Sequence, residues 1–285
     1  MDCIRSTTSL LDAENSVEMA RLINQARLLS RCLGGPIPEL STEELFRVHD
    51  VLDVACGPGD WVLDVAYAHP HLEVAGVDSS PQVVAYASAR ARSQGLPNAS
   101  FGVMDITQPL DFPDNTFDLV NARFLSSVLP REAWPALVGE CVRVARPGGM
   151  VRLTDMELPI CTTPAAQTMA QWFAQALFRA GYSFSPDGST VGITPVLGHF
   201  LRRAGCESGE QRSYPIDFSS GTPFHHSVCQ NGQVAATLLK SRYISLGVTT
   251  EEVFQRMFQR ASIEVLSDDF CGLWPLFVTW AHKPR

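Results

Sequence analysis

Hydrophobic and polar positions follow two regimes along the chain. Over residues 14–33, Val17, Ala20, Leu22, Ile23, Ala26, Leu28 and Leu29 recur at helical spacing until Gly34-Gly35-Pro36 stops them. Ser41-Thr42-Glu43-Glu44 has the cap and early acids of a short second helix. From residue 51 the pattern changes to short apolar runs that alternate with amphipathic stretches. Strands are expected at 51–55, 73–77, 99–103, 117–120 and 150–154. Helices are expected at 60–68, 81–94, with Pro81 in the first turn, and 134–144, which Arg146-Pro147-Gly148-Gly149 stops. Strands alternating with helices imply an α/β fold with a parallel sheet covered on both faces.

After Asp155 the alternation lapses. Helices are expected at 164–180, 196–204, 228–246 and 250–266, a loop at 183–192, a strand at 211–218 and a closing strand at 273–280. The extra helices around 160–182 are either an insertion that covers a pocket or plain core packing. The organisation expected is a helical segment over residues 1–46, a candidate cofactor lid, followed by an α/β domain over 47–285 with a helical insertion at 160–205.

Composition narrows the function classes. A chain of 285 residues with 45% hydrophobic content can bury a large core. Its apolar runs stop well short of the ~20 residues that span a bilayer, so no membrane partner is expected. The start, Met1-Asp2-Cys3-Ile4-Arg5, lacks the apolar stretch of a secretory leader, and a cytoplasmic location is expected. Net charge is −8, the only lysines are Lys240 and Lys283, and no basic cluster stands out. A nucleic-acid partner is therefore not expected. The eight cysteines include no C-x-x-C pair, and a cytosolic chain keeps them reduced. His225-His226 with Cys229 comes nearest to a metal cluster, but adjacent histidines usually point apart, and no metal is expected.

The most informative stretch is Val51-Leu52-Asp53-Val54-Ala55-Cys56-Gly57-Pro58-Gly59-Asp60, a buried strand whose glycine turn opens a helix. A turn without Cβ atoms lets a ligand lie against the backbone, and the helix start offers free N–H groups. Asp78 ends the second strand about 20 residues on, where an acid can accept from ribose hydroxyls. Val62 holds the third position of a G-x-G-x-x-G fingerprint and Trp61 crowds the helix start, which argues against NAD or FAD. No lysine follows the glycines, so a P-loop is excluded. Asp53 suits a ligand with a cationic amino-acid end.

These features resemble motif I of class I S-adenosylmethionine-dependent methyltransferases, a hydrophobic pair, Asp, two residues and Cys-Gly-x-Gly. Gly76-Val77-Asp78-Ser79-Ser80 resembles the family's ribose-binding turn and Val103-Met104-Asp105-Ile106 its adenine-binding turn. Phe112 to Val120 resembles the approach to strand four, and Arg146-Pro147-Gly148-Gly149 the turn before strand five. The resemblance covers about residues 45–158 and is greatest to the small-molecule, ubiquinone/menaquinone-type branch. It implies a Rossmann-like, doubly wound seven-stranded sheet with strands six and seven antiparallel at the edge. It also implies S-adenosyl-L-methionine as cofactor. Gly57 and Gly59 would lie under its methionine part, Asp78 and Ser79 at its ribose, and Asp105 and Ile106 around its adenine. Asn121 and Ala122 would line the methionine end, with Asp53 on the cofactor side. Arg123 and Phe124 would open the substrate pocket. The first helix, with Arg21 and Gln25, either closes over the cofactor or only packs.

Methyl transfer needs a base only when the acceptor must lose a proton. His225 and His226 are the candidate catalytic residues, followed by His199, Asp155 and Glu157; Asp155 and Phe224 are candidate acceptor contacts. Cys161 and Cys229 lack the companions expected of a metalloid methyltransferase. Strand four ends in Asn121-Ala122-Arg123-Phe124, not in the tetrapeptide of base methylation. The aromatic C-terminal half fits a small hydrophobic or aromatic acceptor. The alternatives are a cofactor-dependent cyclisation or rearrangement, and a regulatory protein that binds the cofactor. The methylated atom and the oligomeric state are not specified by the sequence.

Overall fold

The computed structural model describes residues 10–285; the Met1–Arg5 stretch considered above lies outside them. Helix α1 (Ser16–Leu33) starts where Asn15 accepts the N–H groups of Val17 and Glu18, and ends at Gly34 with φ 80°. A single turn, α2 (Thr42–Leu45), opens with the reciprocal Ser41–Glu44 capping box. The α/β series follows as β1 (Asp50–Val54), α3 (Asp60–Ala68), β2 (Glu73–Asp78), α4 (Pro81–Gln94), β3 (Ala99–Val103), β4 (Phe117–Arg123), α5 (Trp134–Val144) and β5 (Ala145–Met156). The rest is β6 (Ile160–Cys161), α6 (Pro164–Arg179), α7 (Leu197–Arg203), β7 (Glu210–Asp217), α8 (His225–Ser245), α9 (Glu251–Glu264) and β8 (Gly272–His282).

Strands β3, β2, β1, β4 and β5 are parallel neighbours in that order. β8 runs antiparallel to β5 on one edge and to β7 on the other. Leu273 pairs with both Ile160 and Asp217, so β6 occupies the same edge of β8 as β5. β6 thus continues β5 beyond an irregular 157–159 link, and the eight assigned strands form seven ranks. The last two ranks, β8 and β7, run antiparallel to each other at the edge, as expected, and β8 alone opposes the other strands. β7 runs antiparallel to β8 and hence parallel to β5.

Alternation within the strands separates two cores. Leu52, Val54, Val120 and Ala122 pack with Leu137, Val138 and Leu197, while Val51, Leu119 and Met150 pack with Trp61, Val62 and Ile37. Each fully buried aliphatic side chain contributes about 1.5–3 kcal/mol. The expected stop at Arg146-Pro147-Gly148-Gly149 lies inside β5. It is an irregular stretch where pairing with β4 shifts register, Gly148 takes φ 80°, and backbone bonds link the glycines to Lys283.

The segment 160–205 divides. α6 packs against α9, whereas α7 packs against α5 and β8 as a sheet-covering helix. The cover over the sheet's carboxyl end is made by α6, α8, α9 and α1. Half of it therefore comes from the β7–β8 connection, where the sequence pattern did not single out a cover.

Candidate active site

The glycine turn is built by left-handed backbone at Ala55 (φ 56°), Gly57 (φ 55°) and Gly59 (φ 84°). A Cβ at Gly59 would stand 2.7 Å from the Phe101 ring, so this glycine serves close packing. Gly57 has open space where a Cβ would project. Its N–H donates to Asp78 Oδ2 at 3.0 Å, and Ser80 N–H donates to Asp78 Oδ1 at 3.1 Å. Asp78 thus ties the ends of β1 and β2 together. Burial pushes its carboxyl above the ordinary range, against these donors. From α4, Arg90 donates to Pro58 O and to Asp60 Oδ1, bracing the turn from outside.

At the carboxyl ends of β1 to β4 this scaffold borders a cleft of about 810 Å³. Asp53, Gly57, Asp78, Ser79, Asp105 and Ile106 line it, together with Arg123 and Phe124, which were expected to open the substrate pocket. Three expected residues do not. Gly59 lies behind the turn. Ala122 is buried in the core. Asn121 is fully buried and spends its amide inside the sheet, donating to Asp53 Oδ1 at 2.7 Å and accepting from Arg152 Nη1 at 2.8 Å. Burial raises Asp53 to about 6, opposed by Arg123 and Asn121. The Arg123 guanidinium lies 5.8 Å from the Trp61 ring centroid. The roof of the cleft comes from residues 10–15, α1 and α8.

A second cavity of about 310 Å³ lies under the helical cover. Met169, Phe173, Leu239, Phe258, Phe270 and Trp274 are among its largely apolar walls. Glu18, Leu22, Gln25, Phe124 and Val128 line both cavities and form the seam between them. Phe124, at φ 57°, turns its ring into that seam.

The candidate bases do not reach this chamber. His225 directs Nδ1 to Phe218 O at 2.9 Å and lies behind Phe218 and Cys229, while His226 is exposed. His199 is exposed on α7. Glu157 accepts from Val191 N, Gly192 N and Thr194 Oγ1, holding the 183–194 loop. Asp155, expected as an acceptor contact, is fully buried and accepts from Ser126 N and Oγ and from Met156 N. Phe224 packs beneath the cavity among the residues around Phe218 and Trp274.

Sequence reasoning named Arg21 and Gln25 on the first helix but missed Glu18 and the polar seam the three form. Glu18, Arg21 and Gln25 sit at i, i+3 and i+7, one face of a helix, and that spacing was the available signal. It also missed Arg152, which pairs with Glu39 at 2.9 Å with both side chains fully buried.

Comparison with known proteins points the same way. Residues 51–149 match the model of a methyltransferase domain. That segment carries the similarity to class I S-adenosylmethionine-dependent methyltransferases. Demethylmenaquinone methyltransferase of Geobacillus kaustophilus is 33% identical over 109 residues, which cover 38% of this chain and 45% of that enzyme. The chain spans less than half the length of that curated relative. The probable methyltransferase ltbC of Aspergillus luteorubrus is 28% identical over 228 residues, covering 67% of this chain and 78% of ltbC. Phosphoethanolamine N-methyltransferase 2 of Haemonchus contortus, solved with S-adenosyl-L-methionine, shares the fold at TM-score 0.54 and 18% identity. That match covers 95% of this chain and 57% of the other.

Proposed function

We propose that the protein transfers the methyl group of S-adenosylmethionine to a small, apolar molecule held under the helical cover. The observation that carries this reading is the polar cleft at the ends of β1, β2 and β4, joined by a shared seam to an apolar chamber. The open face of Gly57 accommodates a ligand against the backbone, and the carboxylates around it suit ribose hydroxyls, an adenine amino group and an amino-acid ammonium. Asp78 and Ser79 would hold the ribose, Asp105 and Ile106 the adenine, and Gly57 with Asp53 the methionine end. Bound there, the cofactor supplies a methyl on a sulfonium, a group ready for in-line displacement.

Arg123 and Phe124 close the methionine end against the seam. The ionisable walls of the apolar chamber among the described residues are Glu18, Arg21, Cys161, Cys229 and Tyr243. Both Glu18 oxygens are occupied by Arg21. The chain thus contributes alignment and exclusion of water rather than a free imidazole base. No helix among the described residues is long and apolar enough to cross a membrane, and relatives named for menaquinone and phosphoethanolamine methylation agree with a small acceptor. The test is turnover with labelled cofactor and a set of apolar phenols, amines and ketones. Label in a product heavier by one methyl-for-hydrogen exchange supports the reading. A product of unchanged mass points to rearrangement instead.

A further inference from the structure

Three side chains on one face of α1, Glu18, Arg21 and Gln25, are buried to 9% exposure or less, beside a largely apolar chamber. Arg21 gives Nε and Nη2 to the two Glu18 oxygens at 2.6 Å each. Its Nη1 donates to Gln25 Oε1 at 2.6 Å and to Asn231 Oδ1 at 3.1 Å. Asn231 Nδ2, from α8, donates to the same Gln25 oxygen at 3.1 Å. Two donors on that oxygen fix which way the Gln25 amide points. Its nitrogen donates to no residue within the described chain, although the side chain is more than nine-tenths buried and walls both cavities. An N–H that opens onto the cavity space is served by water there, and calls for an acceptor from whatever displaces that water.

We propose that Gln25 is a specificity-determining residue whose Nε2 donates to a carbonyl-type oxygen on an otherwise apolar, ring-containing acceptor. The proposal rests on reading the apolar chamber as the acceptor site. Arg21, Glu18 and Asn231 position the amide, because each of its oxygen's partners is itself fixed. Discrimination follows from desolvation. A carbonyl moved into this chamber without a donor loses its water and gains nothing, whereas a hydrocarbon of the same shape loses little. A preference for the ketone over its hydrocarbon isostere therefore reports the Gln25 hydrogen bond.

The experiment is calorimetric titration of protein saturated with S-adenosylhomocysteine. The probes are 2-acetylnaphthalene and 2-isopropenylnaphthalene, which differ by C=O against C=CH2. The parent protein is expected to bind the ketone about tenfold or more tightly than the alkene. Gln25→Glu keeps an oxygen for Arg21 and Asn231 but replaces the donor, so in protein saturated with S-adenosylhomocysteine it should erase that preference. In the parent, the C=O stretch of the bound ketone should also fall below its value in hexane, a readout that needs no variant. Equal affinities for the two probes, binding of neither, or an unshifted C=O band overturns the proposal. Failure of S-adenosylhomocysteine to bind would instead strike the reading of the cofactor cleft.

Discussion

Asn121 donates its side-chain amide to Asp53 Oδ1 at 2.7 Å, from the position directly paired with it on the neighbouring strand. The same amide accepts from Arg152, Arg152 pairs with Glu39, and Tyr214 donates to Glu39 at 3.3 Å. This chain of polar groups crosses the sheet from the polar cleft to the segment that follows α1. Each member is tolerable in the interior only because the next satisfies it.

Glu39→Gln should therefore destabilise the protein strongly. It removes the countercharge of a fully buried guanidinium, a change that costs roughly 3–5 kcal/mol. Denaturant unfolding checks this. A loss within experimental error of zero would show that Arg152 has another compensating partner.

The two glycines of the turn should separate by readout. Gly59→Ala places a Cβ 2.7 Å from Phe101 at φ 84°, and should cost roughly 2–5 kcal/mol of stability through overpacking and left-handed strain. Gly57→Ala meets open space and should cost only about 1–2 kcal/mol in stability. Its methyl faces the cleft, however, and should weaken S-adenosylhomocysteine binding. Unfolding and calorimetry on the same pair of variants give both numbers.

Asp155 makes stability depend on pH. Burial pushes its carboxyl up to about 7 in the folded chain, above its ordinary value near 4. The folded state then holds a proton that the unfolded state has released. The stabilisation is full below about pH 4 and is lost as pH rises through about 7. Denaturation midpoints should fall across that window in the parent, and Asp155→Asn should flatten the slope. An identical slope in the variant would assign the pH dependence to another group.

The alternation of short apolar runs with amphipathic stretches made the parallel sheet legible, because strands buried on both faces leave that pattern. The polar cleft was legible for a related reason. Gly57, Asp78 and Asp105 line it from successive strand ends, where local sequence alone sets their position. The acceptor side was not. Its walls come from α1, α6, α8 and α9, brought together only by tertiary packing, and an apolar face toward a cavity has the same periodicity as one toward a core. His225 looked available in sequence, yet the backbone of Phe218 takes its ring nitrogen. Asp155 looked like a pocket acid, yet Ser126 folds over it.

The central claim is that the cleft among Gly57, Asp78 and Asp105 takes S-adenosylmethionine, and calorimetric titration with S-adenosylhomocysteine tests it most directly. One molecule should bind per chain, NAD should give no heat, and Asp78→Ala should weaken binding by roughly ten- to a hundredfold through loss of charge-assisted hydrogen bonds. Binding of NAD with no response to S-adenosylhomocysteine, or an Asp78→Ala variant that binds as tightly as the parent, would contradict the account.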